Sequence, residues 1–89
     1  MSTISLEIVS PERLVLSDNR VTSVVLPGVS GSMGILPRHA PLITSLKAGT
    51  IEWTIDNQKS SLAIEGGFAE VVDNRLIVLV TLPPDTETG

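Results

Sequence analysis

Ile51-Glu52-Trp53-Thr54-Ile55-Asp56-Asn57-Gln58-Lys59-Ser60-Ser61-Leu62-Ala63-Ile64 is the stretch that decides the fold class. Ile51, Trp53 and Ile55 alternate with Glu52, Thr54 and Asp56, the period-two pattern of a half-buried strand. Asp56-Asn57-Gln58 then interrupts the pattern, and Asp and Asn tolerate the left-handed backbone that a tight turn requires. A second strand follows over residues 60–64, so the segment reads as a β-hairpin.

The same period extends outward in both directions. Ile4, Leu6 and Ile8 alternate with Thr3, Ser5 and Glu7. Leu76, Val78 and Val80 share one face of another strand, with Ile77 and Leu79 on the other. A strand apolar on both faces belongs inside a sandwich or beneath a partner. Turn signals fall at Ser10-Pro11-Glu12, Ser17-Asp18-Asn19, Gly66-Gly67 and Asp73-Asn74. Spacing of about 8–12 residues between turns marks a sandwich or barrel. No segment carries an apolar stripe at i, i+3, i+4, i+7, and prolines 11, 27, 37, 41, 83 and 84 interrupt the chain. The expected fold is therefore all-β, a flattened two-layer β-sandwich of about eight to ten short strands. It should occupy residues 1–82, with residues 83–89 (Pro83 and Pro84, then polar residues) as a flexible C-terminal tail.

Composition narrows the function. At 89 residues the chain is one small domain with a modest core. Trp53 and Phe68 are its only aromatic residues, which disfavours ligands held by ring stacking, such as single-stranded nucleic acid. The net charge is −4, and the six basic residues are scattered. A nucleic-acid binder needs a basic stripe, so no nucleic-acid partner is expected. No apolar run approaches the roughly 18–20 residues that cross a membrane, and residues 1–5 lack the pattern of a signal peptide. The expected chain inserts in no membrane directly and reaches one only through another protein. With no cysteine, neither a disulfide nor a thiolate metal site can brace it.

Candidate chemistry is thin. His39 is the only histidine. A catalytic base needs a nucleophile or an orienting acid, and no motif supplies one; a loop or interface role fits better. Gly28, Gly31 and Gly34 form a G-x-x-G-x-x-G run, which is neither the dinucleotide fingerprint nor a P-loop. It reads as a compact, side-chain-poor turn. Glu65 and Glu70 flank Gly66-Gly67 and belong on strand surfaces, with the glycines relieving crowding or forming a bulge. Trp53 reads as a core anchor or interface residue. No catalytic, cofactor-binding or metal-binding residue is expected. Pro37 and Pro41 each fix φ and bias the preceding residue toward an extended conformation, so residues 36–42 should form a stiff loop between strands.

Three blocks carry a resemblance: Gly34-Ile35-Leu36-Pro37-Arg38-His39-Ala40-Pro41-Leu42, then Leu46-Lys47-Ala48-Gly49, then Gly66-Gly67-Phe68-Ala69-Glu70-Val71. In this order they resemble the N-terminal domain of the F-type ATP synthase epsilon subunit (delta in mitochondria), with its G-I-L-P-x-H-A-P-L block, L-K-x-G turn into a strand, and G-G-F-x-E-V block. Leu6-Glu7-Ile8-Val9-Ser10-Pro11-Glu12 matches the family's first strand and turn, and the likeness runs from about residue 3 to residue 81.

The resemblance implies a non-catalytic subunit of the central stalk, turning with the rotor. Its partners would be the gamma subunit, the c-ring of the membrane sector and the assembled F1 complex, at the cytoplasmic face of a bacterial cell membrane rather than a thylakoid. It implies c-ring contact through Ser30, Gly31, Ser32 and Met33, although the family often has an acidic residue where Ser32 stands. It implies gamma contact through Ser10, His39, Ala40 and Pro41. The family's C-terminal helical hairpin, which can inhibit ATP hydrolysis and in some members binds ATP, has no counterpart in these residues. If 89 residues is the natural length, that inhibition cannot operate; no ATP binding is expected of these residues. The alternative from a different class is a free-standing β-sandwich adaptor that pairs through an exposed strand edge.

Overall fold

A computed structural model describes residues 2–84. The described residues form six strands and no helix: β1 (Ile4–Val9), β2 (Leu14–Gly28), β3 (Gly31–Ile35), β4 (Leu42–Ile55), β5 (Gln58–Val72) and β6 (Arg75–Thr81). The sheet order is β1-β6-β5-β4-β2-β3, and β1 also pairs with β2, which closes five strands into a ring and leaves β3 outside, against β2. Every pairing is antiparallel except β1 with β6, where Leu6 lies opposite Leu76 and Ile8 opposite Val78.

The ring is flattened, with extents of 41 × 27 × 20 Å, because β4 and β5 each serve two layers. Residues 42–47 of β4 pair with residues 66–71 of β5, which continue the sheet to β6 and β1. Residues 49–55 of β4 pair with residues 58–64 of β5 and carry the other layer to β2 and β3. Alternate side chains from both layers fill the interior. Ile4, Leu6 and Ile8 are buried, as are Val24, Leu26, Ile51, Leu76 and Val78, and Trp53 joins this core at 9% exposure.

The all-β sandwich matches the expectation; the strand count does not. Three expected turns lie inside strands. Ser17-Asp18-Asn19 is part of β2, Lys47-Ala48-Gly49 of β4, and Gly66-Gly67 of β5, so dividing these three strands restores the higher number. The physical reason is shared chemistry. A strand that bends from one layer into another uses the residues that also make turns, and a register shift marks the bend in β2 between Asp18 and Val21, which face Leu6 and Ile4 of β1. At Gly67 the demand is steric, since a Cβ would overlap the carbonyl oxygen of Leu79 on β6.

The true turns are those with left-handed pairs. Asp56 and Asn57 (φ 52° and 66°) join β4 to β5, and Asp73 and Asn74 (φ 51° and 60°) join β5 to β6, the geometry that twisted two-residue hairpins require. Pro83 and Pro84 follow β6 outside any strand and are exposed, while Leu82 still packs on the core. The remainder of the expected tail, residues 85–89, lies outside the described residues.

Candidate functional site: an apolar sheet face and its rim

The layer built from β1, β6 and the paired ends of β4 and β5 presents one face to the core and one outward. Strand register puts Ser45, Phe68, Leu79 and Val9 in one row across the outer face. Ile43, Glu70, Ile77 and Glu7 form the next. Phe68 is 59% exposed, Leu79 51% and Ile43 74%, high values for side chains that gain by leaving water. A groove of about 340 Å³ runs beside this row, walled by Val9, Ser10 and Pro11 on one side and Phe68 and Leu79 on the other. Contiguous exposed apolar surface with a polar rim marks an interaction site.

The sequence-predicted residues lie around this face rather than on it. Ser10 closes the turn after β1 and is only 5% exposed. Its hydroxyl donates to the Arg13 carbonyl and accepts the Arg13 N–H, both at 3.2 Å, while the two backbones bond in both directions. The side chain thus holds the turn, and the neighbouring Pro11, Glu12 and Arg13 are the exposed residues there. His39, Ala40 and Pro41 occupy the loop before β4. The Ala40 carbonyl lies 2.7 Å from His39 Nδ1; because a carbonyl can only accept, Nδ1–H is the donor of this bond. Arg38 and Asn74 tie this loop to the start of β1. Ser10 and His39 therefore stand at opposite ends of β1, about 20 Å apart at some 3.3 Å per residue.

Ser30, Gly31, Ser32 and Met33 form the β2–β3 turn and the start of β3. Ser30 and Ser32 are exposed, Gly31 is half-buried, and Met33 leans on the core. The Val29 N–H donates to the Ser45 carbonyl at 3.1 Å, which docks this turn at the β4 edge of the Phe68 row. All three predicted segments thus border one face, and none of them converges on another.

Sequence reading missed the centre of that face. Ile43, Phe68 and Leu79 were legible as outward positions once the strand period was set, and the doubly apolar β6 already pointed to an outer partner. Phe68 had been absorbed into the G-G-F block as a marker of likeness. Glu65 and Glu70 sit exposed on β5, as their strand positions suggested.

A second groove, of about 520 Å³, lies between β1 and the bulged part of β2, with Glu7, Asp18, Arg20 and Arg75 on its walls. Its charges are of mixed sign. Arg20 grips Asp18 with Nη2 at 2.7 Å, Nε at 3.0 Å and its own backbone N–H at 2.8 Å, and Nη1 stands 3.9 Å from Asp56. These hydrogen bonds hold the Asp18 carboxyl below the usual carboxylate range and push the Arg20 guanidinium up. Among the described residues no group of three or more His, Asp or Glu side chains could hold a metal ion.

Fold and face together define a class: a small closed β-sandwich with one solvated outer face and one apolar one. The sequence profile of the ATP synthase, Delta/Epsilon chain, beta-sandwich domain matches residues 3–81, and the chain belongs to that family. It is 50% identical over 76 residues to the ATP synthase epsilon chain of Carboxydothermus hydrogenoformans, covering 85% of this chain and 56% of the relative. It is 46% identical over 79 residues to that of Symbiobacterium thermophilum, covering 89% and 57%. The chain thus spans little more than half the length of these curated relatives.

Among solved structures, it resembles a chain in the OSCP/F1/c-ring part of the Euglena gracilis mitochondrial ATP synthase, with a TM-score of 0.84, 24% identity, and coverage of 90% of this chain and 51% of that one. It also resembles a chain in the central stalk and c-ring of the Tetrahymena thermophila mitochondrial ATP synthase, with a TM-score of 0.76, 15% identity, and coverage of 96% and 74%. At such identities the likeness is one of fold.

Proposed function

We propose that this sandwich is a non-catalytic coupling domain of the ATP synthase rotor, which seats against the gamma subunit with its Phe68 face and against the c-ring with its β2–β3 turn. The observation that carries the reading is the exposed Ile43–Phe68–Leu79 surface, bordered at one end by the Ser10-Pro11 turn and at the other by His39, Ala40 and Pro41. The resemblance implies gamma contact at Ser10 and at His39, Ala40 and Pro41, and an apolar face between them would give that contact its driving force. Ser30, Gly31, Ser32 and Met33 at the remaining corner are then free to meet the c-ring. In this role the domain helps transmit torque, so that proton translocation drives ATP synthesis. The assembled F1 complex would hold it at the cytoplasmic face of a bacterial membrane. A close-packed interior deforms little under load, which suits a part that passes force between two neighbours.

The test is calorimetric binding of the purified chain to its cognate gamma subunit, with His39→Trp alongside. Binding weakened by His39→Trp is the expected result. A folded wild-type chain that ignores gamma sinks the reading and leaves a sandwich adaptor with another partner in its place. Ser10→Trp is a poor probe because Ser10 is buried in its own turn.

A further inference from the structure

One side chain joins three segments that are distant in sequence. Asn74 sits at the second position of the β5–β6 turn with φ 60°. Its side-chain oxygen accepts the Arg38 N–H at 2.8 Å, and its side-chain NH2 donates to the Thr3 carbonyl at 2.9 Å. Its backbone carbonyl accepts the Ser5 N–H at 3.2 Å. Arg38 adds a guanidinium hydrogen bond to Ser2 Oγ at 3.2 Å.

The Arg38 backbone needs such support. Its φ is 65°, a left-handed conformation that a residue with a long side chain rarely adopts. The neighbouring prolines, Pro37 and Pro41, stiffen the loop but cannot orient it, since neither has an N–H to anchor. Apart from the local turn bond from the His39 N–H to the Leu36 carbonyl, the backbone hydrogen bond that ties the middle of the loop to the sandwich is the one Asn74 accepts.

We infer that Asn74 is a positioning residue, whose amide clasps the left-handed Arg38 and so fixes His39, Ala40 and Pro41 as a rigid rim of the Phe68 face. This inference rests on the proposed gamma-facing role of that rim. An amide is well suited to the task, because it can accept from one segment while donating to another. Asn also tolerates the left-handed turn in which it sits.

Two variants separate the clasp from the turn. Asn74→Gly keeps a residue at ease with positive φ and removes both side-chain bonds. Asn74→Asp keeps the acceptor for Arg38 and loses only the donor to Thr3. Amide hydrogen exchange at Arg38 and calorimetric affinity for gamma are measured on both, beside the wild type. The expected result for Asn74→Gly is Arg38 exchange faster by about tenfold or more, with gamma affinity lower by about tenfold, the size of one to two hydrogen bonds. Asn74→Asp should restore most of both.

A purely structural turn residue would not show that rescue pattern. Unchanged Arg38 exchange in Asn74→Gly overturns the clasp, and fast exchange with undiminished affinity overturns its part in binding. Failure of the wild-type chain to bind gamma overturns the reading of the face itself, and the exchange data then show separately whether the clasp exists.

Discussion

The two outer faces of the sandwich are made by the same two strands and differ in what those strands show to water. Where β4 and β5 pair near Ile55 and Gln58, most outward residues are polar, with Thr50, Glu52, Lys59 and Ser61 exposed beside Ala63 and, on β2, Val25. Where the same strands pair near Leu42 and Val71, they expose Ile43 and Phe68, and β6 adds Leu79. Both layers bury their inner faces in one core, and Phe68, Leu79 and Ile43 lie outside it. Phe68 and Leu79 keep 59% and 51% of their surface in water, which forgoes roughly half of the ~1.5–3 kcal/mol that full burial of such a side chain brings. A sequence that could place Thr or Lys there, as it does on the other face, instead keeps apolar surface, which the proposed gamma contact would bury.

The comparison can be broken or sharpened by substitution. The largest effect should come at the bend that carries β5 from one face to the other. Gly67→Ala puts a Cβ into the Leu79 carbonyl, and urea unfolding should show a loss of about 3 kcal/mol from combined overpacking and backbone strain. A variant of wild-type stability would mean that the two layers are not locked in this register. Next in size is Phe68→Glu. Its exposed position predicts an unfolding midpoint close to wild type, while affinity for gamma should fall about thirtyfold, as for a central interface residue worth about 2 kcal/mol. Glu52→Ala, on the solvated face, should leave that affinity within about twofold; equal losses from both substitutions would erase the contrast between the faces.

The smallest effect concerns the seam beyond β1. Arg20 hydrogen bonds lower the Asp18 pKa below its model-compound value of 3.8, so the charged carboxylate favours the folded state. That contribution is present at neutral pH and fades as pH falls below about 4 and through the lowered pKa. Both groups reach solvent, so the effect is small. Asp18→Asn should flatten the acid limb of a stability–pH curve slightly and leave the curve above pH 5 unchanged in shape.

Legibility followed the physics of single residues. The turns at Asp56-Asn57 and Asp73-Asn74 were readable because only a few residue types accept paired positive φ. The bends at Lys47-Ala48-Gly49 and Gly66-Gly67 also read as turns because bending and turning both call on glycine and on interrupted alternation, while the reading of Gly66-Gly67 as relief of crowding on a strand is the one the structure bears out. What tells them apart is register across a neighbouring strand, information that no local window holds. The same limit governed the site. Its borders carried motif residues and were visible, whereas Ser10 gave no sign that its hydroxyl would be spent on its own turn. The Asn74 clasp was hidden too, since its partners Thr3 and Arg38 lie far along the chain.

The parallel pairing of β1 with β6 also sets a timetable. Ser5 lies opposite Arg75 and Val9 opposite Leu79, so β1 must wait for β6, about seventy residues further along the chain, before its second edge is covered. Pairings of such long sequence separation make folding slow, on the order of milliseconds to seconds for β-rich domains. Through that interval β1 can rest against β2 alone, with Ile4, Leu6 and Ile8 only half enclosed. Pairing of β6 with β1 is then the step that closes the ring and covers the second edge of β1.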